Sequence, residues 1–269
     1  MAYIGVIAQN FEIYDGDGYD PFARTGDISS NQIFKAGASG VILGHSEAGD
    51  SPEIINKKLL SVIKKSHYDL SSFRFVILVG ESRDEFETNS AQRIAEMMMS
   101  RLGVIFRDVP GEFMSSVILG YEPKWGSRGS GRDDMSPPQP ELISLCIQKM
   151  RLFVKIRYGD GATPYFIYGG RSTPERTRQV LRDRNIDGLI LGSACNTVGK
   201  ALDIACTMKD VCGDRKKVLV CNFKAYDLAD SYEDYISELS KLDDDFVVCL
   251  APPYTDIRSV KSILERKGF

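Results

Sequence analysis

At several points in the chain a polar or acidic residue directly follows a short apolar run. These are the positions where side chains leave a buried strand and become available for chemistry. Glu122 follows Val117–Tyr121 and precedes Pro123. A carboxylate at the edge of an apolar core is partly desolvated, which suits it to proton abstraction. The structural alternative is a helix-starting or salt-bridged glutamate. His45 ends Gly40–Gly44 and is followed by Ser46 and Glu47, a combination that predicts a helix start. At the positive end of a helix dipole an imidazole stays neutral and acts as a hydrogen-bond donor, although a lone His is more often structural. Asn222 and Lys224 are two apart, so in an extended segment both point to one side. Gln9 with Asn10, and Glu81, complete this polar set, whereas His67 reads as a surface residue. Two turns, Tyr168-Gly169-Gly170-Arg171 and Leu191-Gly192-Ser193-Ala194, follow successive apolar runs. Backbone N–H groups exposed there are suited to a phosphate.

The elements that must position these residues alternate in type. Eight β-branched runs read as strands: Ile4–Ala8, Gly40–Leu43, Phe75–Val79, Val117–Tyr121, Tyr165–Tyr168, Gly188–Leu191, Val218–Cys221 and Phe246–Leu250. Between them, apolar residues at three- and four-residue spacing predict helices over Pro52–Lys65, Asp84–Leu102, Gln139–Arg157, Thr173–Arg184, Gly199–Met208, Ser231–Leu242 and Asp256–Lys267, while the first gap, Asn31–Ala36, is short. The strands are continuously apolar, as parallel strands buried on both faces are. Eight βα units predict an α/β fold with a closed (β/α)8 barrel, whose chemistry collects at the strand ends. A doubly wound sheet would show a Gly-rich turn after its first strand paired with an acidic residue about 20 residues on; that pairing is not found after Ile4–Ala8. No linker composition interrupts residues 1–269, which predicts a single domain.

Composition narrows the classes of function. The 269 residues carry 34 Lys+Arg against 37 Asp+Glu, a net charge of −3, with 43% hydrophobic residues. Charges of both signs are interspersed, so no basic stripe favours nucleic acid. No run reaches the roughly 18 apolar residues of a membrane span, and the start Met-Ala-Tyr-Ile-Gly-Val lacks a signal pattern. The expectation is a cytoplasmic protein with no nucleic-acid or membrane partner. The six cysteines have no C-x-x-C spacing and only two histidines accompany them, so they read as buried thiols with no metal site.

Four segments together resemble triosephosphate isomerase: Ile42-Leu43-Gly44-His45-Ser46-Glu47, Tyr121-Glu122-Pro123-Lys124-Trp125, Tyr168-Gly169-Gly170 and Asn222-Phe223-Lys224. Weaker similarity covers nearly the whole chain. The Asn-x-Lys strand normally opens that family's chain, whereas here it stands at Val218–Lys224. The sequence therefore reads as a circularly permuted TIM barrel, with the first two βα units at the C-terminal end. The former termini would be joined through a polar connection over Lys209–Lys217.

The resemblance implies isomerisation of dihydroxyacetone phosphate and glyceraldehyde 3-phosphate through an enediolate, with no cofactor, in glycolysis and gluconeogenesis. Glu122 would shuttle the proton, His45 would polarise the carbonyl, Lys224 would stabilise negative charge and Asn222 would orient the substrate. Gly129, Arg171, Gly192 and Ser193 would offer N–H groups to the phosphate. Glu81 would hold Trp125, with Tyr168 and Glu47 in support. The family is a homodimer, and in the loop Gln9–Asp27 Thr25 is the residue that would reach across.

Departures from the family qualify this reading. The lid over Pro123–Gly131 carries extra Gly, Ser and Arg, so its ordering costs more. Arg171 replaces the usual Ser, which removes a latch to the lid unless Ser172 substitutes. Ala48 and Gly49 replace an Arg pair, and Leu78 replaces a Cys. The alternatives are an isomerase of another small phosphorylated ketose, of erythrulose phosphate type, or a weakened barrel that binds a phosphorylated ligand.

Overall fold

Short aliphatic runs bounded by glycine or polar residues form eight parallel strands: β1 (Tyr3–Val6), β2 (Gly40–Leu43), β3 (Arg74–Val79), β4 (Val117–Tyr121), β5 (Tyr165–Gly169), β6 (Gly188–Leu191), β7 (Lys217–Asn222) and β8 (Phe246–Ala251). The computed structural model describes residues 2–13, 25–65, 70, 72–126 and 136–269. The strand order is β1-β8-β7-β6-β5-β4-β3-β2, and a parallel bridge between Ala8 and Val41 joins the two ends of that list. The result is a (β/α)8 barrel. At the seam Ile7 N–H donates to Leu250 on one side, and Ala8 N–H to Gly40 on the other. Regular strand geometry therefore ends at Val6, two residues before the expected limit, because the chain shifts there from one neighbour to the next.

Alternation along the strands divides the core in two. Ile42, Val76, Leu78, Ile118, Ile167, Ile190, Val218, Val220 and Cys249 fill the barrel interior. Their neighbours Val41, Leu43, Phe75, Ile77, Leu119 and Leu219 face outward and pack under the helices. The helices are α1 (Ser30–Ala36), α2 (Pro52–Ile63), α3 (Arg83–Thr88), α4 (Ala91–Ile105), α5 (Pro140–Tyr158), α6 (Pro174–Leu181), α7 (Val198–Cys212), α8 (Tyr232–Leu239) and α9 (Ile257–Arg266). Ser or Thr side chains cap most of their N-termini, each accepting a first-turn N–H that has no helical partner: Ser29, Ser51, Ser82, Ser90, Thr173, Thr197 and Ser231.

Three expectations need correction. The single helix over Asp84–Leu102 is two helices, because Asn89 is extended and its amide donates to the Glu85 carbonyl at 2.8 Å, while Ser90 caps a new start. Helix α7 runs on to Cys212, so the connection into β7 is residues 213–216 and not Lys209–Lys217. Cys206 is exposed, and the other five cysteines are buried. No helix among the described residues is long and apolar enough to cross a membrane.

Candidate active site

The interior-facing rows of two strands run straight into the candidate residues. Glu122 continues the row of Ile118 in β4, and Asn222 continues that of Val218 and Val220 in β7. Both are buried, as is His45, which follows β2. Close packing of the backbones makes this possible: a Cβ at Gly80 would overlap the Glu122 carbonyl. Glu122 Oε1 lies 3.4 Å from His45 Nε2, and Oε2 accepts the Ser46 N–H at 3.0 Å.

The segment after His45 is a turn and not the expected helix start. Ala48 N–H donates to the His45 carbonyl at 2.9 Å, and α2 begins only at Pro52 behind its Ser51 cap. The dipole argument for His45 therefore gives way to a local one. Glu47 N–H donates to His45 Nδ1 at 3.2 Å, which makes Nδ1 an acceptor and leaves the ring proton of a neutral imidazole on Nε2, toward Glu122.

Lys224 has a left-handed backbone, φ 51°, a conformation costly for a residue with a side chain. Three groups hold it there. Asn222 Oδ1 accepts the Lys224 N–H at 3.1 Å, Gln9 Nε2 donates to the Lys224 carbonyl at 2.9 Å, and the ammonium pairs with Glu47 Oε1 at 2.5 Å. Gln9 also donates to the Ala251 carbonyl at 2.9 Å. The sequence places Gln9 among the polar strand ends but gives no sign of this work, because its partners are more than 200 residues away.

These residues share a cavity of about 570 Å³ with the two Gly-rich turns. His45, Glu122, Asn222, Lys224, Arg171, Gly192 and Ser193 all line it. Gly192 turns toward Lys224: a Cβ there would stand 3.3 Å from the lysine Cε. Ser193 opens a single 3-10 turn, Ser193–Cys195, before α7. Ser172 Oγ donates to the Gly170 carbonyl at 3.4 Å, within its own loop. Arg176, which the sequence did not single out, donates to the Pro138 carbonyl and at 3.2 Å to Gln179 Oε1. It thereby ties the chain entering α5 to α6. Burial pushes the Tyr168 hydroxyl up to about 12, against the opposing pull of Arg176.

Behind Glu122, Glu81 is fully buried and accepts from Trp125 Nε1 at 2.9 Å and Tyr121 Oη at 3.1 Å. Burial raises its pKa above the ordinary carboxylate value, while its backbone hydrogen bond, Trp125, Tyr121 and the charge of Arg101 pull the other way. The Trp125 ring packs on Phe86 with centroids 4.2 Å apart. Gly129, most of the expected lid and His67 lie outside the described residues. Thr25 is exposed and is not among the residues lining the large cavity. Its neighbours Gly26, Asp27 and Ile28 line a second cavity of about 270 Å³ with Gln9 and Asn10. Beside it, the buried Lys58 ammonium is satisfied by Asp50 at 2.8 Å and Asn10 at 3.1 Å, a charge network that the helical pattern of α2 did not reveal. Among the described residues no group of three or more His, Cys, Asp or Glu side chains could hold a metal ion.

Comparison with known proteins places this geometry in context. The family model described as Triosephosphate isomerase matches residues 2–208. A Triosephosphate isomerase of Alkaliphilus oremlandii (strain OhILAs) is 32% identical over 193 residues, 70% of this chain and 70% of that protein. One from Nitratidesulfovibrio vulgaris (strain DP4) is 31% identical over 175 residues, 64% of this chain and 65% of that protein. One from Borrelia hermsii (strain HS1 / DAH) is 29% identical over 204 residues, 73% of each. The chain thus spans about two thirds of the length of these relatives. Residues 209–269, which carry β7, α8, β8 and α9, lie beyond the family match.

Proposed function

The chain belongs to the triosephosphate isomerase family, and on that premise we propose that it interconverts dihydroxyacetone phosphate and glyceraldehyde 3-phosphate. The observation that carries the proposal is the Glu122 carboxylate 3.4 Å from His45 Nε2, in one cavity with Lys224 and the Gly192-Ser193 turn. Glu122 leaves the Ser46 N–H to take a proton from one substrate carbon and returns it to the next. His45 donates from Nε2 to the oxygen that becomes negative. The Lys224 ammonium, in the same cavity, stabilises the same charge, and Asn222 fixes Lys224 and orients the substrate. The backbone N–H groups of Arg171, Gly192 and Ser193 hold the phosphate, with Gly129 completing the set from the lid. Glu81 and Trp125 keep the base of that lid in place beside Tyr168, and exclusion of water there protects the enediolate. No cofactor is needed, because every proton stays within this set.

A coupled assay on Glu122→Gln tests the assignment. With the fold retained by circular dichroism, loss of the base lowers kcat by about 10²- to 10⁴-fold. A variant that turns over like the parent refutes it.

Two further parts of the reading concern the order of the units and assembly. On this reading the order of βα units is rotated relative to the family; what supports it is that β7 and the Asn222-Phe223-Lys224 segment at its end follow the span matched by the family model. A chain rearranged to begin at Lys216, with Phe269 linked to Met1, keeps its activity on this reading, and a rearranged chain that folds without activity refutes it. The protein assembles as a homodimer through the loop ending at Thr25. A mass of one chain by light scattering at micromolar concentration refutes that arrangement.

A further inference from the structure

The large cavity does not end at the phosphate turn. Beyond Gly192 and Ser193 its lining continues onto Lys200, Asp203 and Ile204 of α7, with Thr173, Glu175 and Gln179 opposite, at the cap and along α6. At 1.5 Å per residue, Lys200 to Ile204 is about 6 Å of helix. The cavity therefore extends well past the place where the phosphate ester of a three-carbon substrate stops. Its volume of about 570 Å³ falls among pockets for far larger ligands, which run to about 300–1,000 Å³.

We infer that the space between α6 and α7 is a subsite for a hydroxylated group carried on the phosphate, so that the site binds phosphodiesters as well as phosphate monoesters. This rests on the phosphate position given under Proposed function. Lys200, Asp203 and Ile204 recur at three- and four-residue spacing, so one helix face offers a donor, an acceptor and an apolar patch. Among the described residues neither the Lys200 ammonium nor the Asp203 carboxylate is paired with another protein side chain. On the facing wall Gln179 Nε2 donates to Glu175 Oε1 at 3.3 Å, which leaves the amide oxygen to the Arg176 guanidinium. A donor beside acceptors matches hydroxyl groups, each of which both donates and accepts. A second phosphoryl group would instead meet the carboxylates of Asp203 and Glu175, so a polyol is favoured over a bisphosphate. Pro174 and Ile204 supply the apolar contact that the carbon chain of a polyol needs. A diester keeps one negative charge and two non-bridging oxygens for the N–H groups of Gly192 and Ser193, with its second ester oxygen turned toward α7.

The test uses the full chain and three competitive inhibitors of triose phosphate turnover: glycerol 3-phosphate, its methyl diester and its glyceryl diester. The methyl diester controls for the lost charge. The glyceryl diester is expected to inhibit about tenfold more tightly than the methyl diester, the worth of one good charge-assisted hydrogen bond. Lys200→Ala and Asp203→Ala each reduce that advantage to about threefold or less, with the inhibition constant of the monoester and the basal kcat/KM unchanged. Equal inhibition by the two diesters overturns the inference, as does an advantage that survives both substitutions. If the monoester itself does not compete, the phosphate position is wrong and the subsite falls with it, so that failure is distinguishable from the others.

Discussion

Gln9→Leu separates a positioning role from simple packing. Leucine fills similar volume but donates nothing, so two hydrogen bonds of 2.9 Å are lost, to the carbonyls of Lys224 and Ala251. At a net value of about 0.5–1.5 kcal/mol each, the expected loss of stability is about 1–3 kcal/mol. The left-handed conformation of Lys224 costs about 1–2 kcal/mol for a residue with a Cβ. The two amounts are comparable, so losing the Gln9 restraint lets the Lys224 backbone relax and draws its ammonium away from the cavity. Each 1.4 kcal/mol is about a factor of ten, which puts the fall in kcat/KM on the order of tenfold. Urea unfolding read by fluorescence, beside the coupled isomerase assay, measures both. Gln9→Glu, which places a carboxylate against two carbonyls, is expected to be worse than Gln9→Leu on both readouts. A Leu variant less than about 0.5 kcal/mol destabilised, with kcat/KM unchanged, would show that Asn222 and Glu47 hold Lys224 without help.

Two other perturbations probe the groups buried behind the site. Because burial raises the Glu81 pKa above 4.5, the folded state holds its proton more tightly than the unfolded state does, and stability is lost as pH rises through the interval above 4.5. Glu81→Gln removes that slope, so the melting temperatures of parent and variant diverge in favour of the variant as pH rises, whereas parallel curves would contradict the assignment. Asp245→Ala leaves the buried Lys217 ammonium with the Arg215 carbonyl at 2.8 Å and the face of the Phe246 ring, but no counter-charge in contact, and costs about 3–5 kcal/mol by denaturant unfolding. Adding Lys217→Met should recover most of it, and failure to recover would mean that Asp245 matters for another reason.

The strand ends were legible because burial on both faces leaves an unbroken apolar run, and the first polar residue after it marks the mouth of the barrel. That logic points to Glu122, His45, Asn222 and Lys224, which line one cavity. It misread the turn after His45 because Ser46-Glu47 carries the same local signal as a helix start. The N–H groups a helix would leave free are instead taken by Glu122 and by His45 Nδ1, partners that no local pattern contains. The break at Asn89 and Ser90 was hidden for a related reason: the apolar spacing of α3 and α4 stays nearly in phase across it, and only the side-chain caps divide the two. Gln9 and Arg176 were illegible as partners, since each acts by bonding a carbonyl, and a carbonyl looks the same in every residue.

The proposed rotation of the units asks little of the fold. In a closed ring of parallel strands each strand bonds only its two neighbours, so moving a pair of units from one end of the chain to the other preserves every ladder. What changes is the sequence distance between partners, and the entropy of closing a loop grows only slowly with its length. The contacts that complete the site already cross this divide. Gln9 and Glu47, inside the family-matched span, hold Lys224, which lies outside it. A chain lacking residues 209–269 would thus lose more than two strands. It would expose the edges of β1 and β6, leave Glu47 and Gln9 without the lysine they fix, and remove the cation that lines the same cavity as the Glu122–His45 pair. The two units beyond the family match are therefore part of the candidate active site as well as of the barrel wall.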